Sequence, residues 1–162
     1  SFYNINMKEI RLSMGQIALV DDEDFEFLNQ RKWYALKRKY TFHAARHNEL
    51  KRPFNRNVYM HREILSLQKG EICDHKDMNG LNNQRSNLRK CTKAQNAMNI
   101  NPYVKYKGVS WCKQANNWRA YIVLNNKQIH IGVFKNEDDA ALAYNKKAVE
   151  LYGEFARLNI IM

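Results

Sequence analysis

Residues 73–99 read CDHKDMNGLNNQRSNLRKCTKAQNAMN, and how the rest of the chain is read depends on this stretch. Residues 71–74 and 87–91 have strand character, and the DMNGLNNQRS segment between them is dense in turn-forming side chains. Thr92 is an N-cap candidate for a short helix over 93–99. On this strand–loop–strand–helix frame, Asp74 and His75 are adjacent, Asn82 and Asn83 lie in the loop, Asn87 opens the second strand, and Gln95, Asn96 and Asn99 fall on the helix. An ionised carboxylate and an amide oxygen are hard ligands suited to a divalent cation. A neighbouring imidazole can take a proton from water near neutral pH. Neighbours on a regular strand point to opposite faces. Asp74 and His75 therefore converge only if the strand ends or twists where the loop begins at Lys76.

Taken alone, an Asp-His pair is most often a surface pair. The joint pattern DHxD…NN…NLR…T…QN, from Asp74 to Asn96, resembles the HNH (His-Asn-His) endonucleases of the ββα-metal type, especially their homing and phage-type branch. The resemblance implies a ββα core over about residues 71–99 and a one-metal hydrolysis of DNA phosphodiester bonds. It makes His75 the general base, Asp74 a metal ligand, Asn96 a second, neutral oxygen ligand, and Asn87 the residue that orients the imidazole of His75. Many family members carry histidine where Asn96 stands, and that departure favours Mg²⁺, with Mn²⁺ substituting, over nitrogen-preferring metals. Asp77, Asn82 and Asn83 match the pattern too, although loop-building Asx turns account for them equally. Arg85 and Arg89 are read as phosphate contacts.

Composition agrees with a polyanionic partner. Lys and Arg number 27 against 16 Asp and Glu, a formal charge of +11. The excess is +1 over residues 1–50, +6 over 51–101 and +4 over 102–162, so it lies in and after the candidate core. Three cysteines (Cys73, Cys91, Cys112) without CxxC spacing make neither a zinc knuckle nor a disulfide framework, even if Cys73 and Cys91 face each other across a hairpin. Thiols fit a reducing compartment, the cytoplasm, or that of a host cell for a phage-encoded protein. There is no apolar run long enough to cross a membrane, and no signal peptide is visible.

Upstream of the core the chain reads as β-rich. Residues 9–12 and 16–20 flank Met14-Gly15 as a hairpin. The acidic run 21–24 precedes FEFL, as suits a helix N-terminus. Residues 33–36 and 40–45 form a second expected hairpin, with Trp33, Tyr40 and Phe42 in the core. His43 and His47 are expected at the surface. A basic loop over 51–57 leads to a short strand at 58–60 and a helix over 61–67, where His61 reads as structural or DNA-facing.

Asn101-Pro102 marks the boundary between an expected domain of residues 1–101 and a second of 102–162. The second begins YKGVSW and continues NNWRAYIVLNNKQIHIGVF, whose alternation around Asn125-Asn126 signals a type I′ hairpin. Trp118, Ala120 and Ile122 share one face; Arg119, Tyr121 and Val123 share the other. A helix is expected from Asn136 to Gly153, with Ala140, Tyr144, Ala148 and Leu151 on its inner side. Through KGV, W-x-A, GVF, AAxAY and GEFARLN this module resembles the plant ethylene-response-factor (Apetala-type) DNA-binding domain. That resemblance implies a three-stranded sheet set in the major groove of double-stranded DNA, with the helix behind it. It places Lys107, Ser110, Cys112, Arg119, Tyr121, Gln128 and His130 at the DNA face, and alternation places Arg119, Tyr121, Gln128 and His130 there independently. Ser110, Cys112 and Val123 stand where arginine is usual in the plant domains.

The sequence therefore reads as an α+β chain in which a β-rich N-terminal region leads into a ββα-metal core, followed by a small antiparallel sheet with one helix. The expected activity is that of a monomeric, homing-type nicking endonuclease. The competing reading is a DNA-binding regulator whose HNH unit no longer cuts. RNA binding is weaker, because the sheet lacks paired stacking aromatics.

Overall fold

The computed structural model describes residues 6–48, 57–99 and 104–161; the basic loop 51–56 and the Asn101-Pro102 boundary lie outside them. It is α+β, with small antiparallel sheets and four α-helices among the described residues. Two compact units divide the chain, Ser1–Thr92 and Lys93–Met162.

In the first unit, β1 (Met7–Arg11) and β2 (Ile17–Asp21) pair antiparallel. Met14 and Gly15 turn the chain with φ of 60° and 67°, the left-handed region. Helix α1 (Asp22–Asn29) follows directly, its first turn acidic and its Leu28 fully buried. Strands β3 (Tyr34–Lys37), β4 (Phe42–His47) and β5 (Asn57–Tyr59) make a three-stranded sheet with β4 in the middle. Helix α2 (Met60–Ile64) begins where β5 ends. A hairpin of β6 (Ile72–His75) and β7 (Leu88–Cys91) closes the unit.

These elements meet on one apolar core: Ile10, Ala18, Val20, Leu28, Trp33, Ala44, Met60, Ile64, Leu81 and Leu88. Trp33 is placed by its ring N–H, which donates to the Leu28 carbonyl at 2.8 Å, so burial leaves no orphan donor. Tyr40, expected in the core, is 53 % exposed instead, because it occupies the β3–β4 turn that Arg38 N–H closes on Thr41 O at 2.9 Å. Cys73 and Cys91 are offset by one position in the hairpin register, Cys73 opposing Lys90 and Cys91 opposing Ile72. All three cysteines are free thiols.

The second unit carries α3 (Lys93–Met98), then β8 (Val109–Cys112), β9 (Asn117–Leu124) and β10 (Lys127–Phe134) as a sheet in the order β10-β9-β8. Asn125 and Asn126 both have positive φ, as the two-residue type I′ turn requires. Helix α4 (Glu137–Tyr152) starts at Asn136, whose side-chain oxygen accepts from Asp139 N–H at 2.7 Å. It buries Ala140, Ala141, Tyr144, Ala148 and Tyr152, and the alanines let the helix lie close on the sheet. Gly108 is required at its position: a Cβ there would lie 2.2 Å from the Tyr144 ring, and φ is +72°.

Candidate active site

His75 is the last residue of β6, and three groups of neighbours fix it. Its backbone pairs with Leu88, a core residue, so the strand is anchored up to its end. Asn83 Oδ1 lies 3.4 Å from His75 Nε2, and Asn83 is itself fully buried. The rings of His43 on β4 and His61 on α2 stand edge-on to it, with centroids 5.5 and 5.1 Å away. The ligand nitrogens of these three histidines all lie within 4.8 Å of one another.

The loop that delivers Asn83 is built on Asp77. Its Oδ1 accepts from Asn79 N–H at 2.8 Å and from Asn87 Nδ2 at 2.9 Å, and its Oδ2 accepts from Asn82 Nδ2 at 2.8 Å. Asn87 also donates to Asn82 O and accepts from Asp77 N–H. The Asn87 amide thus braces the loop behind His75, and Asn83 is the loop residue in contact with the imidazole. The far side of the loop is laced to β2: Leu19 N–H donates to Leu81 O at 2.9 Å, and Asn83 N–H to Leu19 O at 2.8 Å. Gly80 N–H donates to Thr41 Oγ1, and Gly80 sits so close to β4 that a Cβ would fall 2.8 Å from the His43 ring.

Burial dominates the electrostatics. It pushes the imidazole of His75 below its usual range, against the opposing effects of the Asn83 hydrogen bond and the charges of Asp77 and Asp74. His43 is lowered to about 4, by burial first and then by His75 and Arg38. His61 is lowered further, by burial and its neighbours His75, His43 and Arg62. Burial thus favours the neutral form of all three rings, the form that can accept a proton or bind a metal.

Asp74 points away from this cluster. The strand stays regular through His75, so the two neighbours diverge. The buried carboxylate accepts from Arg89 at 2.6 and 2.8 Å, both bonds on Oδ2.

No protein-family model matches the chain. An uncharacterized HNH endonuclease of Acanthamoeba polyphaga mimivirus is 33% identical over 147 residues, which cover 91% of this chain and 76% of that protein. Protein 3.8 of Escherichia phage T7 is 32% identical over 95 residues, covering 56% of this chain and 78% of its own. The chain belongs to the HNH endonuclease family.

Within this HNH endonuclease chain, the other residues singled out from sequence are placed as follows. Asn96 lies on α3 in the second unit. Arg89 is on Asp74, as above. Arg85 is paired with Asp24 at 2.7 and 2.8 Å and with Glu23 at 2.7 Å, and its backbone N–H donates to Asp21. Both arginines, read as phosphate contacts, are thus engaged with carboxylates of their own unit. On the sheet of the second unit, Ser110 opposes Arg119, Tyr121 opposes His130, and Val123 opposes Gln128, so these side chains share one face. Cys112 Sγ accepts from Arg119 Nη2 at 3.0 Å. Lys107 is turned inward, its ammonium on Met98 O and its backbone N–H on Asn159 Oδ1. Burial lowers it to about 8.

Sequence reasoning missed His43 and His61. His43 was expected at the surface and His61 without companions, yet both are partly buried against His75. Neither has a local spacing signal, since 18 and 14 residues separate consecutive members of the cluster. No helix among the described residues is long and apolar enough to cross a membrane.

Proposed function

We propose that this protein is a metal-dependent endonuclease that hydrolyses phosphodiester bonds in double-stranded DNA, cutting one strand per event. The observation that carries the reading is the 33% identity to an HNH endonuclease over 91% of the chain, together with a neutral, buried His75 at the motif position. His75 takes the proton from the attacking water, and Asn83 and the Asp77–Asn87 loop hold its ring. Asp74 and Asn96 are the proposed oxygen ligands. An ionised carboxylate such as that of Asp74 is an oxygen donor of the kind a hard cation takes. A divalent cation, Mg²⁺ with Mn²⁺ as substitute, supplies charge stabilisation at the scissile phosphate when bound.

The second unit is proposed to hold the DNA, as the sheet of an ethylene-response-factor-type domain would. Support comes from the shared face of Ser110, Arg119, Tyr121, Gln128 and His130 and from the +4 charge of residues 102–162. Arg119 is the residue proposed for a guanine contact.

One observation favours the competing reading of a DNA-binding regulator: Asp74 sits in a buried ion pair of the kind that serves structure alone. A plasmid assay separates the two. Supercoiled DNA with the full chain and Mg²⁺ should become open circle, and EDTA or His75→Ala should stop it. Retarded but uncut plasmid would establish the regulator instead.

A further inference from the structure

We propose that His43, His61 and His75 form a nitrogen-donor site for one transition-metal ion of the zinc class, distinct from the hard-cation site of phosphodiester hydrolysis. The three rings come from three separate elements, β4, α2 and β6, and the fold alone brings their ligand atoms within 4.8 Å. Three imidazoles are an unusual way to fill a core, because a buried imidazole nitrogen without a partner costs free energy. Two such atoms are present: Nδ1 of His43 and Nδ1 of His61 are buried with no hydrogen-bond partner. Tyr59 stacks on His61 at 5.5 Å, and Gly80 closes against His43, so close packing holds these two rings.

The chemistry of the donor set selects the ligand. Imidazole suits Zn²⁺, Ni²⁺ and Cu²⁺, whereas Mg²⁺ demands oxygen and keeps its waters. Zn–N bonds of about 2.0–2.1 Å put tetrahedral ligand nitrogens roughly 3.4 Å apart, so modest ring rotations complete the site. Three protein ligands leave a fourth position open.

The site shares His75 with the proposed hydrolysis, and this consequence rests on that reading. A neutral imidazole has one basic nitrogen; a cation bound there leaves the other as N–H, so zinc-class occupancy inhibits cleavage by withholding the base.

The test uses the metal-free full chain. Equilibrium dialysis should give one Zn²⁺ per chain, and Co²⁺ should produce the visible absorption of a tetrahedral nitrogen site. His43→Gln and His61→Gln should each weaken binding by at least about tenfold, whereas His47→Gln, which alters an exposed ring, should not. Because either core variant can misfold, a second measurement uses the unaltered chain. Zn²⁺ should shield His43, His61 and His75, but not His47 or His130, from an acylating histidine reagent mapped by mass spectrometry. No zinc uptake, uptake indifferent to both core substitutions, or uniform shielding of all five histidines would overturn the site. In the plasmid assay, Zn²⁺ added to Mg²⁺ should suppress nicking by wild type, with about tenfold more needed for His43→Gln. Zinc binding without any nicking in Mg²⁺ sinks the nuclease reading and leaves the site. Nicking without zinc binding does the reverse.

Discussion

At the scale of the residue, two neighbours in one strand do separate work because a strand alternates. His75 faces the cluster of rings and Asn83, and Asp74 faces Arg89. His75→Ala removes the proposed base, and nicking should fall by roughly two or more orders of magnitude while retardation of DNA in gels stays near wild type. Turnover close to wild type would take His75 out of that role. Arg89→Ala probes the other face. With its side chain 10% exposed, Arg89 neutralises a carboxylate that is 6% exposed. Removing one partner of such a pair leaves a buried charge alone, at a cost of about 3–5 kcal/mol. Urea titration should show that loss, and a change within the error of the midpoint would mean that Asp74 finds another cation.

At the scale of the element, the loop between β6 and β7 decides the geometry of the site. Its asparagines are turn formers, as their composition suggests, but they also build a closed network around Asp77 and stitch the loop to β2 through Leu19. Gly80 is the tightest point. A Cβ there would lie 2.5 Å from the Phe42 carbonyl oxygen and 2.8 Å from the His43 ring. Backbone cannot give way as a flexible side chain would, so Gly80→Ala should destabilise the chain by about 1–3 kcal/mol, the range for overpacking. It should also displace His43. A crystal structure or an NMR shift map of the variant with His43 unmoved would show that the loop yields instead.

At the scale of the whole molecule, the chain holds one DH pair and no internal repeat of it, so one protomer carries one copy of the proposed catalytic pair. Supercoiled plasmid should become open circle well before any linear product forms, with the protein a monomer by light scattering. Linear DNA from the first turnover, together with a dimer, would refute this. The buried rings also set how stability responds to pH. His43, His61 and His75 all have folded values below 6.5, so between those values and 6.5 the unfolded chain binds more protons. Stability therefore rises with pH in that window and is lost as pH falls, for His43 down to about 4. The melting temperature of the metal-free chain should drop between pH 7 and pH 5, and His43→Gln should flatten the slope. A pH-independent melting temperature over that range would mean that the rings are not held neutral.

The elements and the chemistry that local rules govern are legible in the residues alone. The Met14-Gly15 and Asn125-Asn126 turns, the cap at Asn136, the two faces of β9 and the His75-bearing hairpin are all set by residues within a few positions of one another. The joint spacing from Asp74 to Asn96 likewise carries the resemblance to the HNH family. Tertiary structure alone decided what stands beside those residues. The exposure of Tyr40, the pairing of Arg85 with Asp24, the place of Asn83 at the imidazole and the meeting of His43 and His61 with His75 follow from how distant elements pack. No period or motif encodes such contacts, because they depend on the packing of a core whose members lie tens of residues apart.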